Sequence, residues 1–172
     1  VAARLGFPLS KSITAVFSGT YNYYKTDLDA AAFTDERDFT ALNQNKQFAA
    51  GLTHKHSKGA VRLNYHYNWL RRYYLDDSSH KSSPYIDYVK SNYIGRTQYW
   101  EVFSNWRLTN WEILAGMDYR LNTTDQWYWS TGAFGPYAPP KLNAEMKQLS
   151  PNASVVYKYK KLTAELGGRF NK

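Results

Sequence analysis

Residues 60–73, AVRLNYHYNWLRRY, set against residues 45–57, NKQFAAGLTHKHS, decide the fold. In the first stretch Val61, Leu63, Tyr65, Tyr67 and Trp69 fall on every second position, and in the second Phe48, Ala50, Leu52, His54 and His56 do the same. A period of two with polar residues between is the mark of a strand with one greasy and one wet face. A two-residue loop at Lys58-Gly59 pairs His56 with Val61, Leu52 with Tyr65 and Phe48 with Trp69. A three-residue loop would slip the register by one and set a greasy face against a wet one, so register selects the tight turn.

The same alternation extends outward. Residues 12–24 (SITAVFSGTYNYY) place Ile13, Ala15, Phe17, Gly19, Tyr21 and Tyr23 on one face, and further strands are predicted over 97–108, 111–122, 149–159 and 162–170. The register test puts a turn at Thr109-Asn110, with Trp106 opposite Ile113, Val102 opposite Met117 and Trp100 opposite Tyr119. It puts another at Lys160-Lys161, with Tyr157 opposite Ala164 and Val155 opposite Leu166. Turns beginning at 58, 109 and 160 are evenly spaced. One more step back lands in Gly6-Phe7-Pro8-Leu9, leaving residues 1–5 as the end of an earlier strand. Helical periodicity is confined to short pieces such as 29–33. The expectation is an all-β antiparallel up-and-down meander of about seven strands, a single segment over 1–172.

Composition narrows the class. Aromatics make up 17% of the 172 residues, yet the mean hydropathy is −0.65. No run of about 18 apolar residues exists, which excludes a transmembrane helix, whereas a spanning strand needs only about 9–11 residues and leaves no hydropathy peak. Cysteine is absent, removing disulfides, Cys-ligated metals and thiol nucleophiles together. The formal charge of +8 is scattered without a basic block, so no nucleic-acid partner is expected. No signal peptide is visible at Val1-Ala2-Ala3-Arg4-Leu5.

Long connections are predicted at 25–44, 75–96 and 123–148, alternating strictly with the tight turns. Such loops are uncommon in compact soluble domains. Short turns on one side and long loops on the other are the rule in outer-membrane β-barrels. Tyr21, Tyr23, Trp69 and Tyr73 fall near the long-loop ends of the apolar face, and Trp106, Trp111, Tyr157 and Tyr159 near the tight-turn ends. Two aromatic bands flanking an aliphatic zone match the girdles of a lipid-water boundary. The reading is a fragment of a transmembrane barrel in the bacterial outer membrane, in contact with its lipid.

Ala60–Tyr74 (AVRLNYHYNWLRRYY) and Leu162–Asn171 (LTAELGGRFN) resemble barrel strands of TonB-dependent outer-membrane receptors, especially the cobalamin-receptor-like group. The resemblance implies a 22-stranded barrel around a plug, of which this chain offers the barrel region without plug or TonB box, as a middle segment. It implies import of a bulky nutrient, a siderophore or cobalamin, with the TonB system as partner through parts missing here. Two alternatives remain open: a complete eight-stranded outer-membrane barrel with a structural or adhesive role, and a soluble β-sandwich that binds carbohydrate.

The aromatic stretch Asp125–Tyr137 (DQWYWSTGAFGPY) makes Trp127, Tyr128, Trp129, Phe134 and Tyr137 the leading ligand-binding candidates, on a long loop. Tyr85, Tyr88, Tyr93 and Arg96 form a second group in the loop at 75–96. His54 and His56 make an H-x-H at metal-chelating spacing, but with His66 on the other face no third imidazole joins them. Glu101 is expected opposite Asp118, near Arg120, with Arg107 opposite Glu112; a solvated charge network is the expectation there, not an acid/base pair. No catalytic residue, metal site or cofactor is assigned.

Overall fold

The computed structural model describes residues 1–28, 38–77, 79 and 86–172. It is one antiparallel sheet of eight strands in chain order: β1 (Ala2–Pro8), β2 (Ile13–Asp27), β3 (Phe39–His56), β4 (Gly59–Asp76), β5 (Ile86–Arg107), β6 (Trp111–Gly132), β7 (Leu142–Tyr159) and β8 (Leu162–Arg169). Each strand pairs only with its chain neighbours, so the meander is open, with β1 and β8 as edges. Residues 1–5 lie in a strand, as expected, but Gly6, Phe7 and Pro8, expected to turn, continue it as an edge strand in register from Ala2 opposite Thr20 to Pro8 opposite Thr14. A closed eight-stranded barrel requires β1 to pair with β8, and it does not. No second sheet and no helix lie among the described residues, so there is no sandwich core. The expected helical piece at 29–33 lies outside the described residues.

Two of the three predicted registers coincide with those observed. Trp106 faces Ile113 and Trp100 faces Tyr119 across the turn at Thr109-Asn110, and Val155 faces Leu166 across Lys160-Lys161, where Lys160 takes a left-handed φ of 54°. The β3–β4 hairpin differs. Its turn is Ser57-Lys58, so His54 faces Val61, Leu52 faces Leu63 and Phe48 faces Tyr67. A slip of two residues preserves the faces, which is why a face-matching criterion could not detect it. Gly59 is then the first residue of β4 and not part of the turn. A Cβ there would stand 1.8 Å from the Asn105 carbonyl oxygen of β5, so the close approach of two strands demands glycine. The turn between β1 and β2 falls at Leu9–Ser12, where the Ser10 hydroxyl accepts from the Ile13 N–H at 3.1 Å; the even spacing of turns stops there.

The strands are much longer than predicted. β5 and β6 have 22 residues each, about 70 Å of extended chain. The expected loops shrink accordingly, from 25–44 to the connection after Asp27 and before Phe39, from 75–96 to that between Asp76 and Ile86, and from 123–148 to that between Gly132 and Leu142. The alternation of short and long connections persists, with the short ones all at one end of the sheet.

Both faces of this single layer are uncovered, and among the described residues only Ala15 and Ala41 are buried apolar side chains. One face is greasy near the tight turns. Along β6 it carries Trp111, Ile113, Ala115, Met117, Tyr119 and Leu121; along β7 Tyr159, Tyr157, Val155, Ala153, Pro151 and Leu149; along β4 Val61, Leu63, Tyr65 and Tyr67. Leu63 is 46%, Met117 44% and Leu149 40% exposed. Ser104 interrupts the belt, and its hydroxyl donates to the Ala60 carbonyl at 3.3 Å. Beyond Leu121 the same face turns polar, with Thr123 and Asp125, although the strand runs on.

Candidate functional site

Strand alternation scatters the aromatic residues that the sequence placed on one loop. Trp127, Tyr128 and Trp129 belong to β6, not to a loop. Trp127 and Trp129 point to the same side as the apolar belt, above it, and Tyr128 to the opposite side. Tyr88 joins the first group, its ring edge-on to Trp129 at 5.2 Å, and Lys90 lies 5.8 Å from the Trp127 ring. Arg96 is also on this side, ion-paired with Asp125. Tyr93 and Tyr137 share the polar side with Tyr128, whose ring is 6.2 Å from Tyr137. Tyr137 is held there by a bridge to Ser130, after a reversal at Gly135 with φ of 86°. Phe134 is at the tip of that connection, 89% exposed. Tyr85 lies outside the described residues.

The polar side holds a depression that sequence reasoning missed. Leu70, Arg72 and Tyr74 of β4 face Gly95, Tyr93 and Ser91 of β5, and Thr124 of β6 lies beyond Gly95. They line a trough of about 420 Å³. Tyr74 and Tyr93 meet edge-on at 5.9 Å on one flank, and no atom comes within 4 Å of where a Cβ on Gly95 would sit, so the floor is open. A second trough of about 600 Å³ continues it toward β2 through Leu70 and Arg72, adding Asn22, Tyr24, Asn43 and Asn45. The Asn45 side-chain oxygen is buried with no hydrogen-bond partner. Tyrosine faces and hydroxyls, a guanidinium and carboxamides form a surface suited to a large, partly apolar ligand with anionic or hydrogen-bonding edges. Tyr74 could have been found: in the observed register it lies one diagonal step from Tyr93.

Below the trough, at the height of the apolar belt, the polar side carries a charge network. Glu101 does stand opposite Asp118. Glu101 accepts from the Asn64 amide at 2.8 Å and the Tyr99 hydroxyl at 3.1 Å. Asp118 is bound through both oxygens by Arg169, at 2.9 and 3.2 Å, across the intervening β7, where the facing residue Ser150 is fully buried. Arg120 lies over the Tyr99 ring at 5.3 Å. Glu112 stands opposite Arg107 but bonds Lys158, at 2.9 Å. The two facing carboxylates are thus occupied by different donors. His54 and His56 are 6.5 Å apart between ring centres, and no cluster of three metal-ligating side chains occurs among the described residues.

Comparison with known proteins gives no match: no family model, curated protein or solved structure is similar to this chain.

Proposed function

We propose that this sheet is a sector of a large outer-membrane β-barrel, a TonB-dependent type of receptor, with the polar side toward the lumen. The tyrosine-lined trough, above the membrane, contributes to binding a bulky nutrient of the siderophore or cobalamin kind. One observation carries the reading: on a single face, and at matching height on adjacent strands, the continuous run of apolar side chains begins at the tight turns and ends after Leu121 and Leu149, where Thr123, Asp125 and Lys147 follow while the strands continue. That height matches the roughly 9–11 residues with which a tilted strand crosses the hydrocarbon. A soluble protein has no reason to leave such a belt half-exposed and then switch the same face to charge. The paired edges of neighbouring barrel strands would satisfy the open N–H and C=O groups of β1 and β8.

The absence of cysteine in these 172 residues makes the test direct. In the intact protein in outer membranes, Leu63→Cys, Val102→Cys and Met117→Cys should resist a water-soluble maleimide. Lys90→Cys and Trp127→Cys, on the same face above the belt, should react readily. Equal reactivity of both groups would sink the membrane reading. For the trough, Tyr93→Ala and Gly95→Trp should lower binding of cyanocobalamin or a ferric hydroxamate, whichever the intact protein takes up, by about tenfold, while Trp129→Ala changes it little. The reverse pattern would move the site to the other face.

A further inference from the structure

The upper margin of the belt is cationic on one part of the sheet. The row Gly19, Phe48, Tyr67, Gln98 is followed by Tyr21, Lys46, Trp69, Arg96 and then by Tyr23, Gln44, Arg71, Ile94. Lys46 on β3 and Arg71 on β4 are therefore diagonal neighbours directly above apolar side chains. The Lys46 ammonium stands 5.0 Å from the Trp69 ring, and the Arg71 guanidinium 5.3 Å from the Tyr73 ring. Arg71 also donates from Nε to the Asn92 side-chain oxygen at 2.7 Å. Ring contacts and this hydrogen bond hold the two long side chains without neutralising them. Among the described residues neither has a carboxylate partner, whereas the adjacent Arg96 is paired with Asp125. Two steadied, uncompensated cations on the rim of an apolar surface complement an anionic group attached to acyl chains: the belt receives the chains, and the cations receive the charge.

We propose that Lys46 and Arg71 bind the phosphate of a phosphorylated glycolipid whose acyl chains pack on the apolar face of β3–β5. The proposal rests on the membrane orientation given above. Lys90 is the built-in control, since it shares the face but lies six residues before Arg96 in β5, further from the belt.

Native mass spectrometry of the intact, detergent-extracted protein titrated with diphosphoryl lipid A tests it. Lys46→Gln with Arg71→Gln should weaken retention by about thirtyfold, roughly a factor of five for each cation. Lys90→Gln should leave it within about twofold, because the charge sits well above the headgroup level. Lipid A stripped of phosphate should bind the unaltered protein no better than diphosphoryl lipid A binds the double variant. Unchanged retention by the double variant, or equal retention of phosphate-free lipid A, overturns the proposal. Displacement by millimolar inorganic phosphate alone also overturns it, since the site would then read free phosphate and not a lipid. The maleimide result separates the two failures: protected belt cysteines with no phosphate dependence remove only this inference, and unprotected ones remove the orientation beneath it.

Discussion

The lower and upper halves of the same strands obey different rules. From Trp111 to Leu121, β6 is apolar at every odd position, while its other face carries Glu112, Asp118 and Arg120 with Leu114 and Gly116 between them; from Asn122 to Gln126 it reads NTTDQ, polar on both faces, yet the hydrogen-bonded ladder with β5 and β7 continues unbroken. Alternation therefore records what surrounds a strand, and not whether the backbone is extended. Where one face meets an apolar medium the period of two is written into the sequence. Where both faces meet water, only the ladder and its cross-strand pairs hold the strand, and those pairs accept almost any polar residue.

The largest expected effect follows from that contrast. Val102→Arg or Leu63→Arg, at mid-height on the apolar face, should cost about 2–4 kcal/mol of folding stability in lipid vesicles, the range for a cation at the bilayer midplane. Ile94→Arg lies on the same face and strand but above the belt, and should cost less than about 1 kcal/mol. Urea unfolding of the intact protein from vesicles measures both. Equal costs would remove the distinction between the halves.

A second prediction concerns the polar side at belt height. The Asp118 side chain is only 5% exposed and answers Arg169 with both oxygens. Asp118→Ala removes the charged partner of that guanidinium, which keeps its bond to Asn171 at 3.1 Å, and should cost about 1–3 kcal/mol, as for a hydrogen bond to a charged group. Asp118→Asn keeps one acceptor and should cost less. Thr97→Ala, which removes the hydroxyl donated to the Asn122 oxygen at 2.8 Å higher on the same side, should cost about 0.5–1.5 kcal/mol, as for an ordinary hydrogen bond. An Asp118→Ala cost no larger than that of Thr97→Ala would show that Asp118 and Arg169 are solvated independently.

What the sequence disclosed divides along the same line. The faces of β2 to β8, the turns at Thr109-Asn110 and Lys160-Lys161 and their registers were legible because Trp106, Val102 and Trp100 can face only one side. The β3–β4 turn was displaced by one residue because a two-residue slip keeps every face, and because Gly59 looks like a turn glycine while serving the contact with Asn105. The trough was not legible. Tyr74, Tyr93 and Gly95 lie where both faces are wet, so no period announces a strand, and without the strand Trp127, Tyr128 and Trp129 looked like neighbours on a loop. In the ladder the middle one of the three points away from the other two.

The smallest effect gives the finest probe of that boundary. Trp111 and Tyr157 form a cross-strand pair 4.5 Å between ring centres at the tight-turn margin, and Tyr88 and Trp129 a pair at 5.2 Å well above the belt. Both lie on the same face, and double-mutant cycles to alanine isolate each pair's own coupling. Aromatic pairs couple by about 0.5–1.5 kcal/mol beyond the area they bury. On the proposed membrane orientation, the ring that remains after its lower-margin partner is replaced by alanine is still held by the lipid-water boundary, so the coupling should fall near the bottom of that range. In the upper pair each ring is ordered mainly by its partner, so the coupling should be the larger despite the wider spacing. Cycles repeated in short-chain detergent micelles should bring the two values together, because a small, mobile micelle orders the lower rings less. If instead the lower pair couples more strongly in vesicles and the difference survives the micelle, ring distance alone sets the coupling, and the boundary contributes nothing to the order of Trp111 and Tyr157.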